Sequence, residues 1–196
     1  LKNSKDYSMA RKFNQPAKMD AHWLKHCGTK AAREKFFDRY RCRFEPVSEL
    51  ICGKTVLDVG CGVSMIPQFI DTIEVKYHGI DFSESASILM KGLFPNVEMY
   101  VANLSDELPF HDNAFDTVLS QEFLEHLEDF RPMVEEIKRV AKNRVVITVP
   151  SGLQHPSHFH PDWSVDLCKN LFEDPENTTV GGVGGRWRLI VWNKLV

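Results

Sequence analysis

The segment Thr55-Val56-Leu57-Asp58-Val59-Gly60-Cys61-Gly62-Val63-Ser64 runs as an apolar strand straight into two closely spaced glycines, and Gly79-Ile80-Asp81 answers it about twenty residues on. A strand, a tight turn and a distal acid at that spacing constrain the chain to the first half of a Rossmann-like unit. Gly60 and Gly62 let the backbone approach a ligand where a Cβ would collide, and Asp81, at the end of the next strand, is placed to accept both hydroxyls of a ribose. The loop has no G-x-x-x-x-G-K-[ST] sequence, and Ser64 stands where a dinucleotide fingerprint would carry a further glycine. Asp58, just ahead of the glycines, would repel a diphosphate and favours a cationic nucleoside.

Further along, apolar runs alternate with helical patterns. Strands are expected at 54–59, 75–80, 97–101, 115–120 and 144–149, with helices near 64–71, 84–92, 122–128 and 130–141 between them. This alternation predicts an α/β fold, a Rossmann-like doubly wound sheet that is mostly parallel with right-handed crossovers. Its ligand edge lies at the carboxyl ends of the strands, where Asp58, Asp81, Ser120 and Pro150 fall. After a helix read over 162–172, Thr178-Thr179-Val180, the turn Gly181 to Gly185 and the alternating run 186–193 predict a C-terminal antiparallel hairpin; the glycine turn could alternatively serve as a flap over the site.

Residues 1–50 read as a polar arm over 1–16, flexible or a lid that orders over ligand, followed by a helical cap of two amphipathic helices between Ala17 and about Phe44, interrupted at Gly28-Thr29, with 51–196 forming the main part of the same domain. The aromatic face of these helices reads as packing on the sheet, and Trp23, His22 and His26 are candidates for also lining a ligand pocket. The basic residues Lys30, Arg33, Lys35, Arg39, Arg41 and Arg43 on these helices read as a solvated face that could draw in an anionic substrate. At 196 residues the chain suffices for one α/β domain, and its net charge of −3 argues against a wholesale nucleic-acid-binding surface. Five cysteines without a C-x-x-C pair suggest neither a zinc knuckle nor a disulfide framework, and with no apolar run of the roughly twenty residues that a bilayer requires, the expected location is cytoplasmic, away from membranes. The first residue is not methionine, which suggests either a trimmed chain or a piece of a longer protein.

The residues together resemble the class I S-adenosylmethionine-dependent methyltransferases. Val56 to Gly62 looks like their first motif and Gly79-Ile80-Asp81-Phe82-Ser83 their ribose-binding motif. Leu108 to Val118, Glu122-Phe123-Leu124-Glu125-His126-Leu127 and Val145 to Pro150 follow in the family's order, so that the resemblance spans about residues 50 to 150. It implies that Asp58, Gly60, Cys61 and Gly62 hold the amino-acid end of the cofactor, Asp81 the ribose, Phe82, Asn103 and Leu104 the adenine region, and Ser120 and Gln121 the floor below the sulfonium. There are two departures: Ser64 replaces the third motif glycine, and Asn103 replaces the usual acid near the adenine, where its amide can still both accept and donate.

A second constellation carries the chemistry. Glu122-x-x-Glu125-His126 follows the strand ending at Ser120; on a helix, Glu122 and His126 would share one face with Glu125 beside them. His155, His158 and His160 arrive in the loop after the last parallel strand, and the two loops could meet. His126, His155, His158 and Glu122 are therefore candidates for catalysis, and Glu122, Glu125, His126 and His158 for a divalent metal, magnesium or manganese. The pattern resembles the metal site of small-RNA 3′-terminal 2′-O-methyltransferases and of some ubiquinone-pathway O-methyltransferases. An alcohol must lose its proton to a base or to a metal that lowers its pKa, so imidazoles near the methyl favour oxygen acceptors. The expected activity is O-methylation of a small-molecule hydroxyl, of a sugar or natural product. The alternatives are metal-dependent 2′-O-methylation of RNA ends and a non-catalytic binding module. Oligomeric state is left open by the sequence.

Overall fold

The computed structural model describes residues 14–104, 107–152, 155–160 and 162–195; the arm expected over 1–16 lies almost wholly outside them. Helices α1 (Pro16–Cys27) and α2 (Lys30–Ser48) precede strand β1 (Thr55–Val59), followed by α3 (Ile66–Phe69), β2 (Lys76–Asp81), α4 (Glu84–Leu93), β3 (Glu98–Val101) and β4 (Phe115–Gln121). A 3₁₀ turn (Leu124–His126), α5 (Arg131–Val140), β5 (Ala141–Pro150), α6 (Val165–Lys169), β6 (Thr178–Val183) and β7 (Trp187–Asn193) complete the order. The strands form one sheet in the order β3-β2-β1-β4-β5-β7-β6. The first five pair in parallel, and β7 is antiparallel to both β5 and β6. Strand order reverses at the β1/β4 boundary, so a crevice opens beyond the carboxyl ends of those two strands.

Alternation along the strands splits the core between the two faces of the sheet. Leu57, Val118, Val145 and Ile147 point toward α5, whose Met133, Val134 and Ile137 cover them. Val56, Tyr77, Leu119 and Val146 point the other way, beneath Phe44 and Val47 of α2 and Ala86 and Met90 of α4. The cap helices thus help to close one face of the sheet. Thr29 starts α2 by accepting a hydrogen bond from the Ala32 amide at 3.2 Å, and Ser83 does the same for α4 from Ala86 at 3.1 Å. Asp20 of α1 then accepts from the Ser83 hydroxyl at 2.6 Å and the Ser85 amide at 3.0 Å, which fastens α1 across the start of α4.

Four expectations need correction. The helix read over 122–128 is a single 3₁₀ turn, because Glu122 sits at φ +54° and Phe123, Leu124 and Glu125 are all buried in succession, which one face of an α-helix cannot do. The helix over 64–71 shrinks to Ile66–Phe69, ending where Ile70 turns extended, and that over 162–172 shrinks to Val165–Lys169. Glycine content also misled at the hairpin: Gly181 and Gly182 pair within β6, and the turn is confined to Gly184, Gly185 and Arg186. Among the described residues no helix is long and apolar enough to cross a membrane, and all five cysteines are free thiols.

Candidate active site

At the end of β1 the chain turns at Gly60 (φ +67°) and Gly62 (φ +50°), conformations that disfavour any side chain. A Cβ at Gly60 would meet the Phe123 ring at 2.3 Å, and one at Gly62 the Trp23 ring at 2.0 Å. The first motif is therefore roofed by one aromatic from the β4 loop and one from α1. The Gly62 amide donates to Asp81 Oδ2 and the Ser83 amide to Asp81 Oδ1, both at 2.9 Å. Each carboxylate oxygen keeps a further lone pair for a ligand hydroxyl. Asp58 is fully buried; its Oδ2 accepts from the Tyr77 hydroxyl at 2.8 Å while Oδ1 has no partner. Ser120 Oγ and both polar atoms of the Gln121 amide are likewise buried and unpartnered at the end of β4. A row of orphaned acceptors and donors across the switch point is what a polar ligand would satisfy.

Burial pushes the Asp58 carboxyl up to about 6, against the Tyr77 hydroxyl, which stabilises the charge. Burial also pushes Asp81 up to about 6, against the backbone amides of Ser83 and Gly62. Phe82 is half-buried, Leu104 is buried in the core, Cys61 is half-buried beside Gly79, and Asn103 is exposed at the end of β3. Ser64 has a local task, its Oγ accepting from the Ile66 amide at 3.3 Å where α3 begins.

The loops after β4 and β5 do meet. Phe159 donates its amide to the Glu125 carbonyl at 2.7 Å, and ligand atoms of Glu125, His126 and His158 lie within 4.8 Å of one another. Glu122 stands outside that set, because the 3₁₀ turn does not place it on one face with His126. Its amide donates to the Thr148 carbonyl, and its carboxylate is pushed up to about 7 by burial, against the field of the Arg43 guanidinium. Glu125 is fully buried with both carboxylate oxygens unpartnered, and burial together with Glu122 raises its pKa well above the usual range.

His126 Nδ1 lies 3.2 Å from the Ser157 carbonyl. A carbonyl only accepts, so Nδ1 carries the proton and Nε2 keeps its lone pair. Burial and the neighbouring His158 hold His126 down to about 3, so it is neutral at physiological pH. A neutral imidazole oriented by a backbone carbonyl, next to a carboxylate and a second histidine, is a donor set that fits a divalent metal. His155 is exposed and accepts the Ser157 amide on Nδ1 at 3.2 Å, which leaves its proton on Nε2; His160 Nε2 donates to the Glu128 carbonyl at 3.0 Å.

Two contributors were missed in the sequence. Asn14 donates its side-chain amide to the carbonyls of His126 and Ser157, each at 3.0 Å, and so staples the two loops together. Arg43, read as part of a solvated face, is 7% exposed and sits 4.5 Å from the Phe44 ring, 5.2 Å from Trp187 and 5.4 Å from Tyr40, in the field of Glu122, Glu125 and Asp58. Its place in the apolar stripe with Phe44 and Val47 was the available signal.

A family model described as a methyltransferase domain matches residues 57–149. The Mycobacterium tuberculosis protein Rv3030, assigned as an S-adenosylmethionine-dependent methyltransferase, is 28% identical over 58% of this chain and 41% of its own. The ubiquinone biosynthesis O-methyltransferase of Thiobacillus denitrificans is 30% identical over 52% and 46%. The matched region thus spans less than half the length of these curated relatives, and relatives at similar distance include an ajmaline N-methyltransferase from Rauvolfia serpentina. The magnesium protoporphyrin IX methyltransferase of Synechocystis, solved with bound S-adenosylmethionine, superposes with a TM-score of 0.68 at 14% identity, covering 100% of this chain and 99% of that one. The glycine turn at Gly60 and the buried Asp81 both fall within residues 57–149, and these matches place that segment of the chain among the class I S-adenosylmethionine-dependent methyltransferases.

Proposed function

We propose that the chain transfers a methyl group from S-adenosylmethionine to a hydroxyl of a small molecule. When bound, the cofactor would supply a methyl group on a sulfonium, the acceptor oxygen bonding to the methyl carbon in line as the sulfur leaves as the thioether of S-adenosylhomocysteine. On this reading Asp58, Gly60, Cys61 and Gly62 hold its amino-acid end, Asp81 its ribose, and Phe82, Asn103 and Leu104 its adenine. The orphaned Ser120 and Gln121 side chains form the floor beneath the reacting centre. The observation that carries the choice of oxygen is the neutral His126 imidazole, its Nδ1 taken by the Ser157 carbonyl, in one set with Glu125 and His158. An imidazole held at about 3 is a weak general base, so geometry and charge together favour Glu125, His126 and His158 as holders of a divalent ion over His126 acting alone. Magnesium or manganese held there would lower the pKa of an acceptor hydroxyl. Glu122, in the field of Arg43 and with its carboxyl pushed up by burial to about 7, keeps a proton-accepting role beside that set.

The same three-residue set also favours a second reading, metal-dependent 2′-O-methylation of an RNA 3′ end. Incubation with methyl-labelled S-adenosylmethionine and a panel of hydroxyl acceptors, with and without chelator and with a short RNA, separates them. Chelator-sensitive transfer to small hydroxyl compounds supports the first reading, transfer to RNA alone supports the second, and transfer to nitrogen acceptors alone removes both. A chain that binds the cofactor and transfers nothing would be the binding module.

A further inference from the structure

Trp187 opens β7 opposite Pro150, the last residue of β5, and so stands at the ligand edge of the sheet. Its ring faces Arg43 at 5.2 Å and Tyr40 at 6.1 Å. Arg43 in turn lies in the field of Glu122 and Glu125, which links this corner to the candidate reacting centre. Outward from Trp187 a cavity of about 390 Å³ is lined by Arg39, Tyr40, Cys42, Gly184, Arg186 and Trp187. That size lies within the usual range of small-molecule sites.

The lining is chemically one-sided. It holds two guanidinium groups, two aromatic rings and no acid. Three other bases of α2 are engaged: Arg41 pairs with Glu45, Lys30 with Glu34, and Arg33 donates to the Cys27 carbonyl. Arg39 and Arg186 make no ion pair within 4.0 Å among the described residues, and Arg39 instead lies over the Tyr40 ring at 5.4 Å. The position of Arg186 is fixed by the fold. Gly184 (φ +57°) packs against Trp187 and Cys42 so closely that a Cβ would meet the indole at 2.6 Å, and the Arg186 carbonyl accepts the Ser151 amide at 2.9 Å. The tight turn therefore carries one arginine to the mouth of the cavity and ties it to the loop that follows β5, while α2 brings the other.

We propose that Arg39 and Arg186 seat an anionic group of the methyl acceptor, a carboxylate or a phosphate, with Tyr40 and Trp187 flanking the body of the molecule and its hydroxyl directed inward past Trp187. The assignment rests on the methyltransferase reading above and narrows its acceptor to anionic hydroxy compounds. Planar guanidinium forks suit both anions, and aromatic walls suit an acceptor with a flat or apolar body. Arg39 and Arg186 are both exposed, so replacing them leaves the core intact.

Calorimetric titration of the intact chain, with and without saturating S-adenosylhomocysteine, tests this with two matched pairs: 4-hydroxybenzoate against its methyl ester, and glycerol 3-phosphate against glycerol. The anionic member of one pair should bind at least about tenfold tighter than its neutral partner, and the Arg39→Gln/Arg186→Gln variant should erase that preference while binding S-adenosylhomocysteine as before. The pair that discriminates identifies carboxylate or phosphate. Equal binding within both pairs, absence of binding by either anion, or a preference that the double variant retains overturns the assignment. Loss of S-adenosylhomocysteine binding by the unaltered chain would count against the cofactor reading instead, and the titrations without cofactor read the anion site independently.

Discussion

The two halves of the crevice are made by different means. On the β1–β2 side, residues of one short stretch from Asp58 to Ser83 do the work: Gly62 and Ser83 donate their amides to Asp81, and Asp58 sits on β1 just ahead of the glycine turn. On the β4–β5 side, the set Glu125, His126 and His158 is assembled from two loops, stapled by Asn14 across 112 and 143 residues of sequence and faced by Arg43 from α2. Backbone geometry defines the first half, and tertiary packing defines the second. The teaching is that a site held by its own turn can be recognised from local sequence, whereas one held by distant loops must be seen folded.

The largest expected effect falls on the local half. Asp81→Ala removes the carboxylate that anchors Gly62 and Ser83 and would accept the ribose hydroxyls; S-adenosylhomocysteine affinity should fall by on the order of a hundredfold or more, as two charge-assisted hydrogen bonds would imply. Unchanged affinity in calorimetry would break the contrast at its first member. On the assembled half, Glu125→Gln should cost on the order of a hundredfold in metal-stimulated transfer and leave S-adenosylhomocysteine binding alone. Because it replaces a buried, unpartnered carboxyl whose charged form burial disfavours, the variant should melt at the same or a higher temperature. A parallel loss of cofactor affinity would show that the halves are not separable.

Gly62→Ala comes next, since φ +50° and the Trp23 ring both oppose a methyl group there. It should destabilise the turn by about 1–3 kcal/mol and lower the melting temperature by several degrees. The pH dependence is gentler. Asp58 and Asp81 both titrate at about 6 in the folded chain, against an ordinary value of 3.8. Cofactor affinity should therefore decline as pH falls from 7.5 through 6 and both carboxyls lose their charge. Their contribution to stability runs the other way: the folded state binds these protons more tightly than the unfolded state, so the two groups destabilise progressively from about pH 4 to 6 and fully above that. Calorimetry across pH 5 to 8 reads the first trend and urea melts the second. The smallest effect belongs to Asn14→Ala, which loses two hydrogen bonds worth about 1 kcal/mol each and should loosen the histidine loops with little change in S-adenosylhomocysteine affinity.

The sequence made the sheet legible because β-branched runs such as Val145-Val146-Ile147 and the glycine turn at Gly60 follow local rules. It also brought Glu125, His126 and His158 onto one list, since topology puts the ends of β4 and β5 side by side. What it could not give was the backbone of Glu122. Nothing local marks that residue as left-handed, yet the chain there forms a 3₁₀ turn in place of the expected helix, and Glu122 stands outside the set of Glu125, His126 and His158. Arg43 was hidden for a related reason, because an arginine on a helix reads as solvated until the rings of Tyr40, Phe44 and Trp187 are seen around it.

The central claim is that the β1–β2 half anchors the cofactor through Asp81. Titration of the purified chain with S-adenosylhomocysteine at pH 7.5, beside the Asp81→Ala variant, tests it most directly. Micromolar or tighter binding by the unaltered chain and its loss in the variant is the predicted result; a folded chain that takes up no S-adenosylhomocysteine, or a variant that binds it equally well, would contradict it.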